Sequence, residues 1–121
     1  MLPNYRGPSP VASAILNGDN HTGSTVMVLD SGMDSGPLVA HQEAKIDDAD
    51  TTQILTNRLF NIGTKLLIDI LPQWIQNEIK ATPQQEANAT FTKLLTRQDG
   101  QIAWSQTAQL IERQIRAYSP W

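Results

Sequence analysis

One amphipathic stretch constrains this chain more than any other feature. From Asp50, read as an N-cap, Ile54, Leu55, Leu59, Ile62, Leu66, Leu67 and Ile70 recur at helical spacing through Leu71, with Arg58, Lys65 and Asp69 on the other side. Such an apolar stripe has to be buried, and the preceding residues supply its partner. Thr25-Val26-Met27-Val28-Leu29 is a β-branched run of strand length, read as buried on both faces. Leu38 to Ile46 sets Leu38, Ala40, Ala44 and Ile46 in period two against His41, Glu43 and Lys45, which places it at a sheet edge or half exposed. Helix against sheet is an α/β arrangement. Gly63 can bend the long helix, and Pro72 opens a final stretch through Trp74, Ile75 and Ile79.

Ahead of the strands, Pro8-Ser9-Pro10 leads into a short helix, Val11 to Leu16, stopped by Asn17-Gly18. Beyond the long helix, Ala81 to Thr92 loses its apolar periodicity and is rich in Thr, Gln, Asn and Ala, the composition of a connection. It divides residues 1–80 from residues 93–121. In the latter, Gln101 to Trp104 is strand-like, Ser105 can cap, and Ala108, Leu110, Ile111, Ile115, Ala117 and Tyr118 give a helix with Arg113 and Arg116 toward solvent. A length of 121 residues allows one domain or parts of two.

The net charge of -3 conceals an asymmetry, because four of the nine Lys/Arg (Lys93, Arg97, Arg113 and Arg116) stand beyond residue 92 with Asp99 and Glu112 as their only acidic neighbours. That end is the candidate anionic-ligand face. With no cysteine there is neither a disulfide framework nor a thiol metal site, and no metal is expected. Nothing resembles a signal peptide or a membrane span, so the expectation is a soluble, cytoplasmic protein.

The chemistry-bearing candidate is Asp30-Ser31-Gly32-Met33-Asp34-Ser35-Gly36, which follows the first strand. Strand-end loops of α/β sheets bind ligands because the scaffold fixes their ends while their backbone groups stay free. A carboxylate at Asp34, flanked by two glycines, can be presented outward from a tight turn. The plainer reading is a turn and nothing more, with Asp and Ser bonding their own backbone and Asp30 capping the strand end. His21 and His41 read as surface residues, and Trp74, Trp104 and Trp121 as packing residues.

Several of these pieces together resemble the methionyl-tRNA formyltransferase family. Leu2-Pro3-Asn4-Tyr5-Arg6-Gly7 through Pro10 is similar to the end of its active-site segment, Asn-x-His-x-Ser-Leu-Leu-Pro-x-Tyr-Arg-Gly-x-x-Pro, and Gly32-Met33-Asp34-Ser35-Gly36 to its Gly-Leu-Asp-Thr-Gly turn. Asp99-Gly100, Ile102, Trp104-Ser105 and Ile115-Arg116-Ala117 with Pro120-Trp121 resemble the start of its tRNA-binding C-terminal domain.

The resemblance implies the later part of a doubly wound, Rossmann-like formyltransferase domain (1–80), a linker (81–92), and the first strand and helix of an OB-like β-barrel domain (93–121). It implies transfer of a formyl group from 10-formyltetrahydrofolate to the amino group of initiator methionyl-tRNA, by an enzyme that is monomeric when complete. By motif, Asp34 is the catalytic carboxylate, Ser31, Gly32 and Met33 line the pterin pocket, and Leu2 and Pro3 end the folate-binding segment. Arg6 anchors its loop, and Arg113 and Arg116 are candidates for tRNA phosphates. The family's Asn and His would stand just upstream of Met1, so the 121 residues by themselves are expected to be inactive. Ala103 and Ser35 depart from the family's usual Asp and Thr. Two other classes stay open: a sugar-nucleotide or other folate-dependent formyltransferase, and a non-catalytic remnant or interaction module.

Overall fold

The computed structural model describes residues 1–120, in the order α1 (Pro10–Asn17), β1 (His21–Met27), β2 (Leu38–Lys45), α2 (Thr52–Ile75) and α3 (Ala108–Tyr118), with 3₁₀ turns at Glu86–Asn88 and Arg97–Gly100. β1 and β2 form an antiparallel pair, running from His21 opposite Lys45 to Met27 opposite Leu38, with an irregularity between Val26 and Met27. α2 lies against both strands and α1 packs on α3. This is the α/β layering that the amphipathic pattern requires.

The expected short helix is present. Pro10 occupies its first turn and Gly18 closes it in the left-handed region (φ 73), where its N–H bonds to the carbonyl of Ile15. The long helix begins one residue later than the N-cap reading placed it. The side chain of Thr51 is the cap, accepting from the Ile54 N–H, whereas the Asp50 carboxylate is buried, accepts from the Asp47 N–H and pairs with Arg58. Arg58 also donates to the Lys45 carbonyl, so the end of β2 and the start of α2 are tied through one guanidinium. Pro72 does not open a new segment, because α2 runs through it to Ile75.

The first strand is corrected in position and burial. It begins at His21, so Thr22 and Gly23 belong to it, while Val28 and Leu29 lie outside it and are exposed; Val26 and Met27 are half-buried. Gly23 permits the early start, since a Cβ there would meet the Gln42 carbonyl oxygen across the ladder at 2.3 Å. β2 agrees with its reading, with His41 and Glu43 exposed and Ala44 half-buried.

The core gathers Ala12, Ala14, Ile15, Ile46, Leu55, Leu59 and Ala117, with Tyr5, Val11, Leu16, Ala44, Leu95 and Tyr118 around it. Ala117 of α3 therefore shares a core with α1 and α2. Three expectations for this end are corrected. Gln101 to Trp104 forms no strand, Thr107 rather than Ser105 caps α3, and Trp104 is 82% exposed rather than packed. Trp74 is half-buried, His21 and His41 are exposed, and Trp121 lies outside the described residues. Among the described residues no helix is long and apolar enough to cross a membrane, and no cluster of His, Asp and Glu could hold a metal ion.

Candidate active site

The turn after β1 is shaped by its own side chains. Asp30 Oδ1 accepts from the Gly32 N–H at 2.9 Å and the Ser35 hydroxyl donates to the same carboxylate at 2.9 Å, so Asp30 stabilises the loop at the strand end. Gly36 is required by space, because a Cβ would stand 1.7 Å from the Val28 carbonyl oxygen. The Val28 N–H bonds to the Pro37 carbonyl at 2.9 Å and closes the base of the turn. Between these constraints Asp34 sits at φ 52, a left-handed conformation that a non-glycine residue occupies only when its surroundings hold it there.

Those surroundings come from both ends of the chain. Asp34 Oδ2 accepts from the Gly7 N–H at 2.7 Å, and Gln84 Nε2 donates to the carbonyls of Asp34 (2.8 Å) and Gly36 (2.7 Å). Gln84 Oε1 in turn accepts from Arg6 Nε at 3.2 Å and Nη2 at 2.9 Å. Arg6 is 2% exposed, bonds both oxygens of Glu86 and lies 5.8 Å from the centroid of the Phe91 ring. Its hydrogen bonds hold the Glu86 carboxyl below its ordinary pKa. The anchoring role read for Arg6 is met.

Backbone bonds from Arg6 N to Thr90 O and from Thr92 N to Arg6 O, with Leu38 and Thr82 exchanging both of theirs, bind the remainder of 82–92 to the site. The stretch read as a connection is thus bonded to Pro3, Tyr5, Arg6, Asp34, Gly36 and Leu38. Gln84 and Glu86 were missed, and Gly7 was read only as part of the family motif. Gln84 and Glu86 sit in a polar run without periodicity, and a backbone N–H such as that of Gly7 leaves no trace in composition.

Asp34 and Leu2 border a cavity of about 250 Å³ together with Met1, Asn4, Tyr5, Thr25, Met27 and Leu59. Thr25 Oγ1 is buried beside it with no hydrogen-bond partner among the described residues. Tyr5 donates to Asp19 at 2.7 Å, and burial raises its hydroxyl pKa. Ser31, Gly32 and Met33 are exposed and do not border this cavity, and Pro3 is engaged instead through its carbonyl with the Thr90 N–H. A larger cavity of about 910 Å³, between the Arg97–Gly100 turn and the end of α3, contains none of these residues.

The arginines of α3 are less free than their sequence positions implied. Arg116 is held by Glu112 and donates to the Asp50 carbonyl at 3.0 Å, and Arg113 covers Gly18 closely enough that a Cβ there would strike its guanidinium. Both are half-buried.

A carboxylate on a strand-end turn, fixed by a backbone N–H at the rim of a small cavity, stands where α/β folds bind ligands. The sequence model described as "Formyl transferase" matches residues 1–71, and "Formyl transferase, C-terminal domain" matches residues 94–121. The chain belongs to the formyl transferase family. It is 52% identical over its whole length to the methionyl-tRNA formyltransferase of Roseiflexus sp. (strain RS-1), covering 37% of that protein. It is 48% identical to that of Chloroflexus aggregans (strain MD-66 / DSM 9485), covering 39% of it. The chain thus spans well under half the length of these relatives. Among solved structures, the N-formyltransferase from Helicobacter canadensis, in complex with folinic acid and dTDP-3-aminofucose, superposes with a TM-score of 0.85 at 26% identity, over 97% of this chain and 44% of that one.

Proposed function

We propose that this chain is the Asp34-bearing part of a methionyl-tRNA formyltransferase, in which 10-formyltetrahydrofolate donates a formyl group to the amino group of initiator methionyl-tRNA. The observation that carries the reading is the Asp34 carboxylate, held through Oδ2 by the Gly7 N–H at the rim of the cavity while Oδ1 makes no hydrogen bond among the described residues. In the reaction the neutral amine attacks the formyl carbon, the new C–N bond forms, and collapse of the tetrahedral adduct breaks the bond to N10 of the folate. The amine loses one proton and N10 gains one. On this reading the Asp34 carboxylate accepts that proton from the attacking amine.

The 48–52% identity to methionyl-tRNA formyltransferases supports a tRNA acceptor. The Helicobacter canadensis likeness supports the second reading, a sugar-nucleotide acceptor, at lower identity. The test is a chimera in which residues 1–121 replace the matching part of the Roseiflexus relative, assayed with methionyl-tRNA and with dTDP-3-aminofucose. Formylation of the tRNA alone is expected, and Asp34→Asn lowers kcat by about 10²–10⁴-fold, the range for removal of a general base. Full activity of Asp34→Asn refutes the role, and preference for the sugar nucleotide selects the second reading. Arg113 and Arg116 stay candidates for phosphate contact, which on this geometry requires Arg116 to leave Glu112.

A further inference from the structure

The group that holds Asp34 comes from outside both matched family segments, since Gln84 lies between residues 71 and 94. It is 9% exposed and uses the whole hydrogen-bonding capacity of an amide: two N–H donors to the Asp34 and Gly36 carbonyls, and two acceptor directions to Arg6. Glutamate in its place would keep the acceptor and lose both donors, and would set a negative oxygen against two carbonyls. Alanine would lose everything.

The turn needs such a brace. Ser31, Gly32 and Met33 are exposed, Asp34 is left-handed, and the bonds of Asp30 to Gly32 and Ser35 leave the carbonyls of Asp34 and Gly36 to Gln84. Arg6, with its guanidinium fixed by Glu86, passes the same brace to the neighbouring Gly7, whose N–H meets the Asp34 carboxylate. One amide therefore sets both the backbone that carries the carboxylate and the segment that receives it.

We propose that Gln84 is a positioning residue for the reaction, acting through Asp34 by fixing the turn that carries it. This rests on the reading of Asp34 as proton acceptor. In the Roseiflexus-flanked chimera, Gln84→Glu and Gln84→Ala are each expected to lower kcat for formylation of methionyl-tRNA by about 10²-fold, the loss produced by a misplacement of about 1 Å, while KM for 10-formyltetrahydrofolate changes less than about threefold. In an Asp34→Asn background neither is expected to cause further loss, because both act through one carboxylate.

A Gln84→Glu enzyme with the parent kcat overturns the proposal, as do losses that multiply with Asp34→Asn. If Asp34→Asn itself retains full kcat, the proton-acceptor reading falls. If Asp34→Asn is inactive and the Gln84 variants are normal, the positioning role alone falls. A second measurement on the 121-residue chain does not depend on turnover: the Gly7 amide proton, shifted downfield by its bond to the carboxylate, is expected to move upfield in Gln84→Glu while the methyl signals of Ile15 and Leu55 stay in place. An unmoved Gly7 signal overturns the proposal.

Discussion

Gly36→Ala places a methyl group where the structure has a carbonyl. The added carbon would lie 1.7 Å from the Val28 oxygen and 2.9 Å from its carbon, both main-chain atoms that no rotamer change can move. Relief requires the turn to part from the end of the strand by about 1 Å, and the Val28 N–H to Pro37 bond, 2.9 Å in length, stands directly in the way. Overpacking of this kind costs about 1–3 kcal/mol. Loss of the hydrogen bond adds about 0.5–1.5 kcal/mol. A total near 3 kcal/mol is about a hundredfold change in the folded-to-unfolded ratio. In urea unfolding with a slope of about 2 kcal/mol/M, the midpoint should fall by about 1.5 M. Gly100→Ala is the matched control, because a Cβ there meets nothing within 4 Å, and its effect should stay within about 0.5 kcal/mol. Equal midpoints for the two variants would refute the steric reasoning.

Leu55 is fully buried between the helices and the sheet, so Leu55→Ala should destabilise the fold by about 2–5 kcal/mol, read as a lowered urea midpoint with an unchanged slope. Asp99 bonds Lys93, the Thr96 N–H and the Thr96 hydroxyl, and these partners hold its carboxyl at about 2 instead of 3.8. A depressed carboxyl stabilises the folded form above the unfolded value and loses that contribution as pH falls through the folded one. Protection of the Thr96 amide should therefore persist at pH 5 and disappear between about 3.8 and 2; titration of Asp99 near 4 would show that the cap is not formed.

What the sequence made legible was the part governed by periodicity and by local turn chemistry. The span of α2, the alternation of β2 and the proline-to-glycine bounds of α1 are each set by residues within a few positions of one another, although of the α2 stripe Leu55, Leu59 and Ile70 are buried while Ile54 and Leu67 are exposed. Errors arose where a distant partner decides. Thr51 displaces Asp50 as the cap because the Asp50 carboxylate is drawn to Arg58, one helical face away. β1 begins at His21 because Thr22 and Gly23 pair with Ala44 and Glu43, which no count of β-branched residues anticipates. Within the candidate site, the turn that carries Asp34 was legible from its glycines, while a role for the carboxylate was implied by the family motif. Gln84 was not legible, since a glutamine in the polar run Gln84-Gln85-Glu86 carries no local signal and its meaning depends on Arg6, 78 positions earlier.

That separation also sets an order of events during synthesis. β1, the turn and β2 are complete in the chain by residue 45 and α2 by residue 75. The amide that secures the turn arrives 48 to 50 residues after the carbonyls it binds. At about 5–20 residues per second, the ribosome delivers it roughly 2–10 s later. For that interval a nascent chain carries both strands and the long helix in its sequence without the amide that braces the carboxylate loop, so the brace can form only after those elements have been synthesised. A chain interrupted between residues 46 and 83 has the residues of both strands and lacks the amide that locks the turn between them.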